Sequence, residues 1–235
     1  MSRKALALGA AALLATGLFA RLGVWQLERR VWKLDLIARV ERRLHAPPIE
    51  APPPPAWPTI GAADEYRRVR IAGRFDYRRE TRVQALTELG GGFWVLTPLR
   101  TDQGFTVLVN RGFVPPAWSG HEGSAAHPGA ERVVTGLLRL SEVGGAFLRA
   151  NAPQAGRWYS RDVAAIAAAR HLGRVAPYFI DADAAPESGG YPRGGLTVVR
   201  FPNNHLQYAL TWFTLAFMAA AAVVTVGRDE WRRRR

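Results

Sequence analysis

Residues 206–226 run for 21 positions without a formal charge. As a helix rising ~1.5 Å per residue they cover about 31 Å, matching a bilayer core of roughly 30 Å. No other feature constrains the fold as much, because a segment of this length and polarity is at home only inside a membrane. A second apolar block occupies residues 5–20, behind Arg3 and Lys4. It is short enough for the hydrophobic core of a signal peptide, but Leu18 and Ala20 do not make the small-x-small cleavage pattern. Apolar residues resume as Leu22-Gly-Val-Trp25 after a lone Arg21, whose long side chain can snorkel to an interface. Residues 5–27 are therefore expected to form an uncleaved first span, with a cleaved signal peptide as the alternative.

Flanking charge gives an orientation. Arg3 and Lys4 precede the first block, and Arg228 and Arg232 to Arg235 follow the second, so both termini are expected on the cytoplasmic side. The formal net charge of +13 then has a membrane explanation, with the lipid bilayer as partner and no nucleic acid. There is no cysteine, which excludes disulfides and thiolate metal sites. Only Lys4 and Lys33 are lysines among the 32 basic residues. That bias towards arginine, with abundant Ala and Gly and no import presequence, suggests a GC-rich bacterial genome. The expected location is the bacterial inner membrane, multi-pass, with the central domain periplasmic.

The expected organisation has five parts: a first transmembrane helix over 5–27, a charged helical extension and Pro-rich linker over 28–58, a β-rich domain over 59–203, a second transmembrane helix over 204–226 and a basic tail over 227–235. In the extension, Leu27, Val31, Leu34 and Ala38 recur at spacings of three or four, as on one helix face. Seven prolines from Pro47 to Pro58 end the helix and predict a stiff linker. From Tyr66 the period changes to two, and alternation predicts strands near 69–75, 80–86, 93–101, 105–114, 132–140, 157–161, 176–181 and 196–201. Residues 162–172 are expected to form an Ala-rich helix capped by Asp162, while 119–130 and 184–195 look like loops. The fold class is thus an α+β membrane protein, with two transmembrane helices flanking a mainly antiparallel β-domain that carries one or two helices.

Catalytic motifs are missing: no nucleophile elbow, Walker loop, HExxH or Rossmann fingerprint occurs. His45, His121, His127 and His171 have ordinary explanations as solvated or helix-end residues, and no two histidines stand three or four apart. His205 differs through its neighbours in Pro202-Asn-Asn-His-Leu-Gln-Tyr-Ala-Leu-Thr-Trp-Phe213. With Asn204 at the N-cap, Gln207 falls at N3 in a capping-box spacing. Capping accounts for those two amides. It leaves His205, Tyr208, Ala209 and Trp212 sharing one helix face, with Ala216 and Ala219 leaving room for a flat ring packed on the aromatics. Trp25 and Gln26 are expected at the same membrane surface from the other span. A helix N-terminus favours the neutral imidazole that ligates metal, so two readings stand open, an interfacial anchor or a ligand.

Four ordered islands carry a resemblance. Leu22-Gly-Val-Trp-Gln-Leu-Glu-Arg-Arg30 with Lys33, Tyr66-Arg-Arg-Val-Arg-Ile-Ala-Gly-Arg-Phe-Asp76, Phe93-Trp-Val-Leu-Thr-Pro-Leu99 followed by Val107-Leu-Val-Asn-Arg-Gly-Phe-Val-Pro115, and Asn204-His-Leu-Gln-Tyr-Ala-Leu-Thr-Trp-Phe213 together resemble the Surfeit locus protein 1 family. The resemblance implies an assembly factor for cytochrome c oxidase and not an enzyme. Its implied partners are oxidase subunit I and haem a synthase, and its implied cofactor is a transiently held haem a. Carried onto this chain, His205 becomes the candidate axial ligand of the haem iron, with Trp25, Gln26, Tyr208 and Trp212 around it and Arg21 or Arg29 near the propionates. One histidine without a thiolate suits reversible holding. The alternative is a haem-free scaffold that tethers oxidase subunits through a basic strand face at Arg68, Arg70 and Arg74.

Overall fold

A single helix joins what the sequence divides into span and extension. The computed structural model describes residues 3–119, 130–146, 149–184, 190–197 and 202–232. Helix α1, Arg3–Leu44, has 42 residues, about 63 Å at ~1.5 Å per residue. That is about twice a bilayer core of roughly 30 Å, so its charged half stands clear of the apolar one. No proline occurs before Pro47, and the helix stops three residues short of it. The chain divides into two compact units, Met1–Val40 with Arg200–Arg235, and Glu41–Val199.

The second unit is a small β-barrel. Its strands among the described residues are β1 Ile49–Glu50, β2 Arg68–Phe75, β3 Thr81–Thr87, β4 Gly90–Arg100, β5 Thr106–Val114, β6 Arg132–Leu140, the short hairpin β7 Gly145–Ala146 with β8 Arg149–Ala150, and β9 Val175–Ala182, with helix α2 Val163–Ala169 before the last. The main sheet runs β1-β2-β6-β9-β5-β4-β3, and β2 pairs again with β4. That pairing, Arg74 opposite Arg100 and Phe75 opposite Leu99, closes a ring of five strands with β1 and β3 appended at its seams. Closure removes the exposed strand edges that would invite aggregation. It also requires Gly73, where a Cβ would collide with the Arg100 carbonyl. Most pairs are antiparallel, as expected, but β1–β2 and β5–β9 are parallel.

Alternation along the strands separates two apolar clusters. Val107, Val109, Tyr178 and Ile180 fill the barrel with Val69, Ile71, Leu99 and Leu138. Their neighbours Leu108 and Phe179 face outwards, where Trp158, Val163 and Ile166 cover them. Because β5 is buried on both faces, it is apolar in consecutive residues at Val107–Val109 and again at Phe113–Val114, on either side of Asn110-Arg111-Gly112.

Several expected boundaries move. The Pro-rich stretch, expected as a stiff linker, is folded onto the barrel: β1 pairs with β2, a 3-10 turn spans Pro54–Thr59, and the Pro52 carbonyl accepts from the Tyr178 hydroxyl at 2.8 Å and the Trp57 indole at 3.1 Å. Trp57 then meets Phe105 edge-on with centroids 5.6 Å apart. Burial pushes the Tyr178 hydroxyl well above its ordinary pKa. Residues 157–161 form no strand; Arg157 makes an isolated bridge to Ala152, and Trp158 is buried as a plug beneath α2. The strand expected over 196–201 is absent at residues 196–197, and its remainder lies outside the described residues. Residues 120–129 of the loop expected over 119–130, with His121 and His127, and residues 185–189 of that over 184–195 also lie outside them.

The first unit contains the apolar part of α1 and helix α3, His205–Arg232. Both helices are long and apolar enough to cross a membrane. Gly23 is buried against the Phe213 ring, so close that any Cβ at that position would strike it.

Candidate functional site

His205 is the first residue of α3. Asn204 holds the N-cap position, its carbonyl accepting from the Tyr208 N–H at 3.2 Å, and Gln207 falls at N3 as the capping-box spacing requires. Across the helix pair, His205 Nδ1 lies 2.7 Å from Gln26 Oε1. Gln26 is buried, unusual for a glutamine on an apolar helix, and its amide oxygen can only accept. The imidazole therefore donates from Nδ1, and in the neutral form of such a ring the lone pair is on Nε2. A neutral ring held through one nitrogen with the other available is the arrangement found in metal-ligating histidines. Two residues earlier, Asn203 Oδ1 is buried with no hydrogen-bond partner among the described residues, and such an acceptor is costly.

The other expected members divide. Trp212 stacks on Phe19 with ring centroids 5.7 Å apart and an interplanar angle of 26°. Ala209 and Ala216 are buried, so the space expected over Ala216 is not open. Helix α3 has used this stripe for packing within the helix pair. Trp25 and Tyr208 are 47% and 55% exposed near the ends of the apolar segments, where such rings favour a membrane interface. Of the two propionate candidates, Arg21 lies 3.7 Å from Glu28, and Arg29 sits 3.9 Å over the Trp32 ring. His45 and His171 keep their local roles: His45 Nδ1 is 3.0 Å from the Glu41 carbonyl, and His171 turns the chain after α2 with φ 50°.

A second polar centre, which no motif singled out, lies in the β-domain. Asp181 of β9 is nearly fully buried and accepts from Asn110 at 2.8 Å, Arg139 at 2.9 Å, Arg161 at 3.2 Å and Thr197 at 3.0 Å. Arg139 reaches on to Glu65 at 3.2 Å, and Arg161 grips Glu142 through its Nε at 3.1 Å and a second, shorter contact. Burial alone would raise Glu142, yet the Arg161 hydrogen bonds and charge outweigh it and hold the carboxyl below its ordinary value. Arg161 is correspondingly raised despite burial. The cluster floors a cavity of about 320 Å³ rimmed by Leu86, Leu89, Trp94 and Leu196. The one available signal was a carboxylate closing an apolar strand, Tyr178-Phe-Ile-Asp181, because a buried charge needs partners. Asn110 sets the same stretch in order: its Oδ1 accepts from the Gly112 N–H at 3.1 Å. Gly112 has φ +129° and abuts the Arg193 backbone, a place no side chain could occupy. Arg111 between them ion-pairs with buried Glu80 at 3.5 Å. The basic face expected on β2 is neutralised, because Arg68, Arg70 and Arg74 pair with Asp183, Glu50 and Asp102.

Comparison with known proteins bears on both centres. The sequence profile of the SURF1 family matches residues 13–217, a range that includes Gln26, Asn110, Asp181 and His205. Surfeit locus protein 1 of Mus musculus is 38% identical over 211 residues, covering 83% of this chain and 67% of its own length. The proteins of that name from Rattus norvegicus and Homo sapiens are also 38% identical, covering 83% of this chain and 67% and 69% of their own lengths. Because the match runs from within α1 through the barrel strands into the first half of α3, the chain belongs to the SURF1 family.

Proposed function

We propose that this protein assists maturation of the haem-bearing subunit I of a haem–copper terminal oxidase by holding haem a on His205. Family membership implies a role in cytochrome c oxidase assembly. The observation that carries the finer reading is the 2.7 Å contact between His205 Nδ1 and Gln26 Oε1. It fixes the ring, sets the tautomer and presents Nε2 as a ligand. The donor set fits the cofactor: a neutral imidazole with a buried amide behind it, and the unsatisfied Asn203 Oδ1 as an acceptor for a polar substituent. Haem a, when bound, would supply an iron able to take the His205 imidazole nitrogen as a ligand. A single histidine without a thiolate suits a carrier that must release its load. Trp25 and Tyr208, exposed on the outside of the helix pair, anchor it at the bilayer surface. In this reading both termini are cytoplasmic, the barrel is periplasmic in a bacterial inner membrane, and haem a synthase and subunit I are the donor and the client.

The test is the optical spectrum of protein purified in detergent from cells that make haem a. Wild type is expected to carry a haem a spectrum and His205→Ala to lose it. Haem-free wild type that still crosslinks to subunit I would replace the carrier with a scaffold, and an unchanged spectrum in the variant would remove His205 as ligand.

A further inference from the structure

Helix α1 carries a second face beside the one it turns to α3. Gly23 and Gln26 meet Phe213 and His205. About 90° around the helix lie Val24, Leu27, Val31, Leu34 and Ala38, spaced three, four, three and four residues apart. Val24 is 43%, Leu27 39%, Val31 66% and Leu34 44% exposed in the folded chain, and Ala38 is exposed too. Glu28, Arg29, Arg30, Lys33 and Asp35 occupy the positions between and around them. Val24 and Leu27 end the membrane span, but lipid cannot cover Val31, Leu34 and Ala38, because the many charges on the same turns would have to enter the hydrocarbon with them. Water must then wet a continuous apolar stripe, which is unfavourable at about 25 cal/mol per Å².

We propose that this stripe is the seam of a parallel two-stranded coiled coil with a second copy of the chain. The spacing averages 3.5 residues, the heptad period. Taking Val24, Val31 and Ala38 as a positions places Leu27 and Leu34 at d. β-Branched residues at a with leucine at d favour parallel dimers. Charge selects the same orientation. Arg30 falls at g and Asp35 at the following e, so a parallel pair sets Arg30 of each copy against Asp35 of the other. An antiparallel pair would instead bring like g positions together. Asp35 also pairs with Arg39 along its own helix, which pre-orders it. Two heptads alone would be marginal in water, but copies inserted in one bilayer in the same sense are already parallel and concentrated. The register also continues down the apolar part of α1 through Ala20 and Gly17, small residues that let helices approach closely in lipid. Nothing lies within 4 Å of where a Cβ on Gly17 would stand. The dimer does not depend on haem.

The absence of native cysteine makes a direct test available in the full chain, in native membranes. Single substitutions Val31→Cys, Leu34→Cys and, on the far face at f, Arg29→Cys are oxidised and the disulfide-linked dimer is quantified. The expected result is severalfold more dimer at Val31→Cys and Leu34→Cys than at Arg29→Cys. Adding Arg30→Asp to Val31→Cys should lower the yield, and adding Asp35→Arg as well should restore it. Equal yields at the three positions, or no dimer at any, as when another protein's helix covers the stripe, would overturn the proposal. So would a Val31→Cys yield indifferent to the charge at position 30.

Discussion

Gln26 is the residue on which the reading of His205 turns. A buried amide on an apolar helix has to spend its hydrogen-bonding capacity on something, and here it accepts from an imidazole on the other helix. Without it, the ring could rotate or exchange tautomers. Partners standing behind a ligand typically contribute about 10–100-fold to metal affinity. Gln26→Ala is therefore expected to retain a histidine-type haem a spectrum but lose haem about tenfold or more readily on transfer to a haem-scavenging apoprotein. Gln26→Glu provides the informative control. A carboxylate accepts more strongly from Nδ1, makes Nε2 a better donor and should lower the midpoint potential of the bound haem. Equal retention and equal potential in all three proteins would show that Gln26 only packs the helices together.

Helix α2 shows how an element can be specified by the residue that caps it. Seven residues, mostly alanine, are too few to be stable alone. Asp162 compensates, with one oxygen accepting from the Ala165 N–H and the other from the Gly144 N–H, both at 3.1 Å. Asp162→Ala should cost about 1 kcal/mol, the typical loss of an N-cap, measured by urea denaturation of the detergent-solubilised protein. Asp162→Asn should recover most of that loss; no recovery would mean that charge and not capping is at work. This cap was legible in the sequence, as were the strands at 69–75 and 132–140, because acceptor side chains and period-two alternation act locally. The Pro-rich segment was not. Its role depends on the Pro52 carbonyl meeting Tyr178 and Trp57, and Tyr178 is 126 positions away in the chain. Residues 157–161 misled for a related reason: Trp158 and its neighbours alternate as a strand does but are buried by α2. In the candidate site, His205 and Gln26 could be chosen from residue type and topology. The outward turns of Trp25 and Tyr208, and the use of Trp212 for stacking on Phe19, follow from helix phase across a pair, which one sequence does not fix.

The barrel as a whole is tied by charge as much as by its apolar clusters. Asp181 and the two arginines on it link β5, β6, β9 and the segment before α2, four parts of the chain that no local signal would bring together. A carboxylate buried between guanidinium groups is stabilising only while each keeps its partner, and the adjoining Arg161–Glu142 pair should make the barrel weaken in acid. The sign follows from Glu142, whose folded pKa lies below its ordinary value of 4.5 because Arg161 outweighs the effect of burial. The unfolded chain binds that proton first as pH falls. The stabilisation is thus complete above about pH 4.5 and declines as pH drops from there through the folded value. Glu142→Gln keeps the shape and removes the titration. The variant should be less stable than wild type at pH 7, and the gap should narrow on acidification below pH 4.5, as followed by the denaturation midpoint of the purified protein. A gap that stays constant across that range would mean that Glu142 contributes through packing, and that the charge on Arg161 is balanced by Asp181 alone.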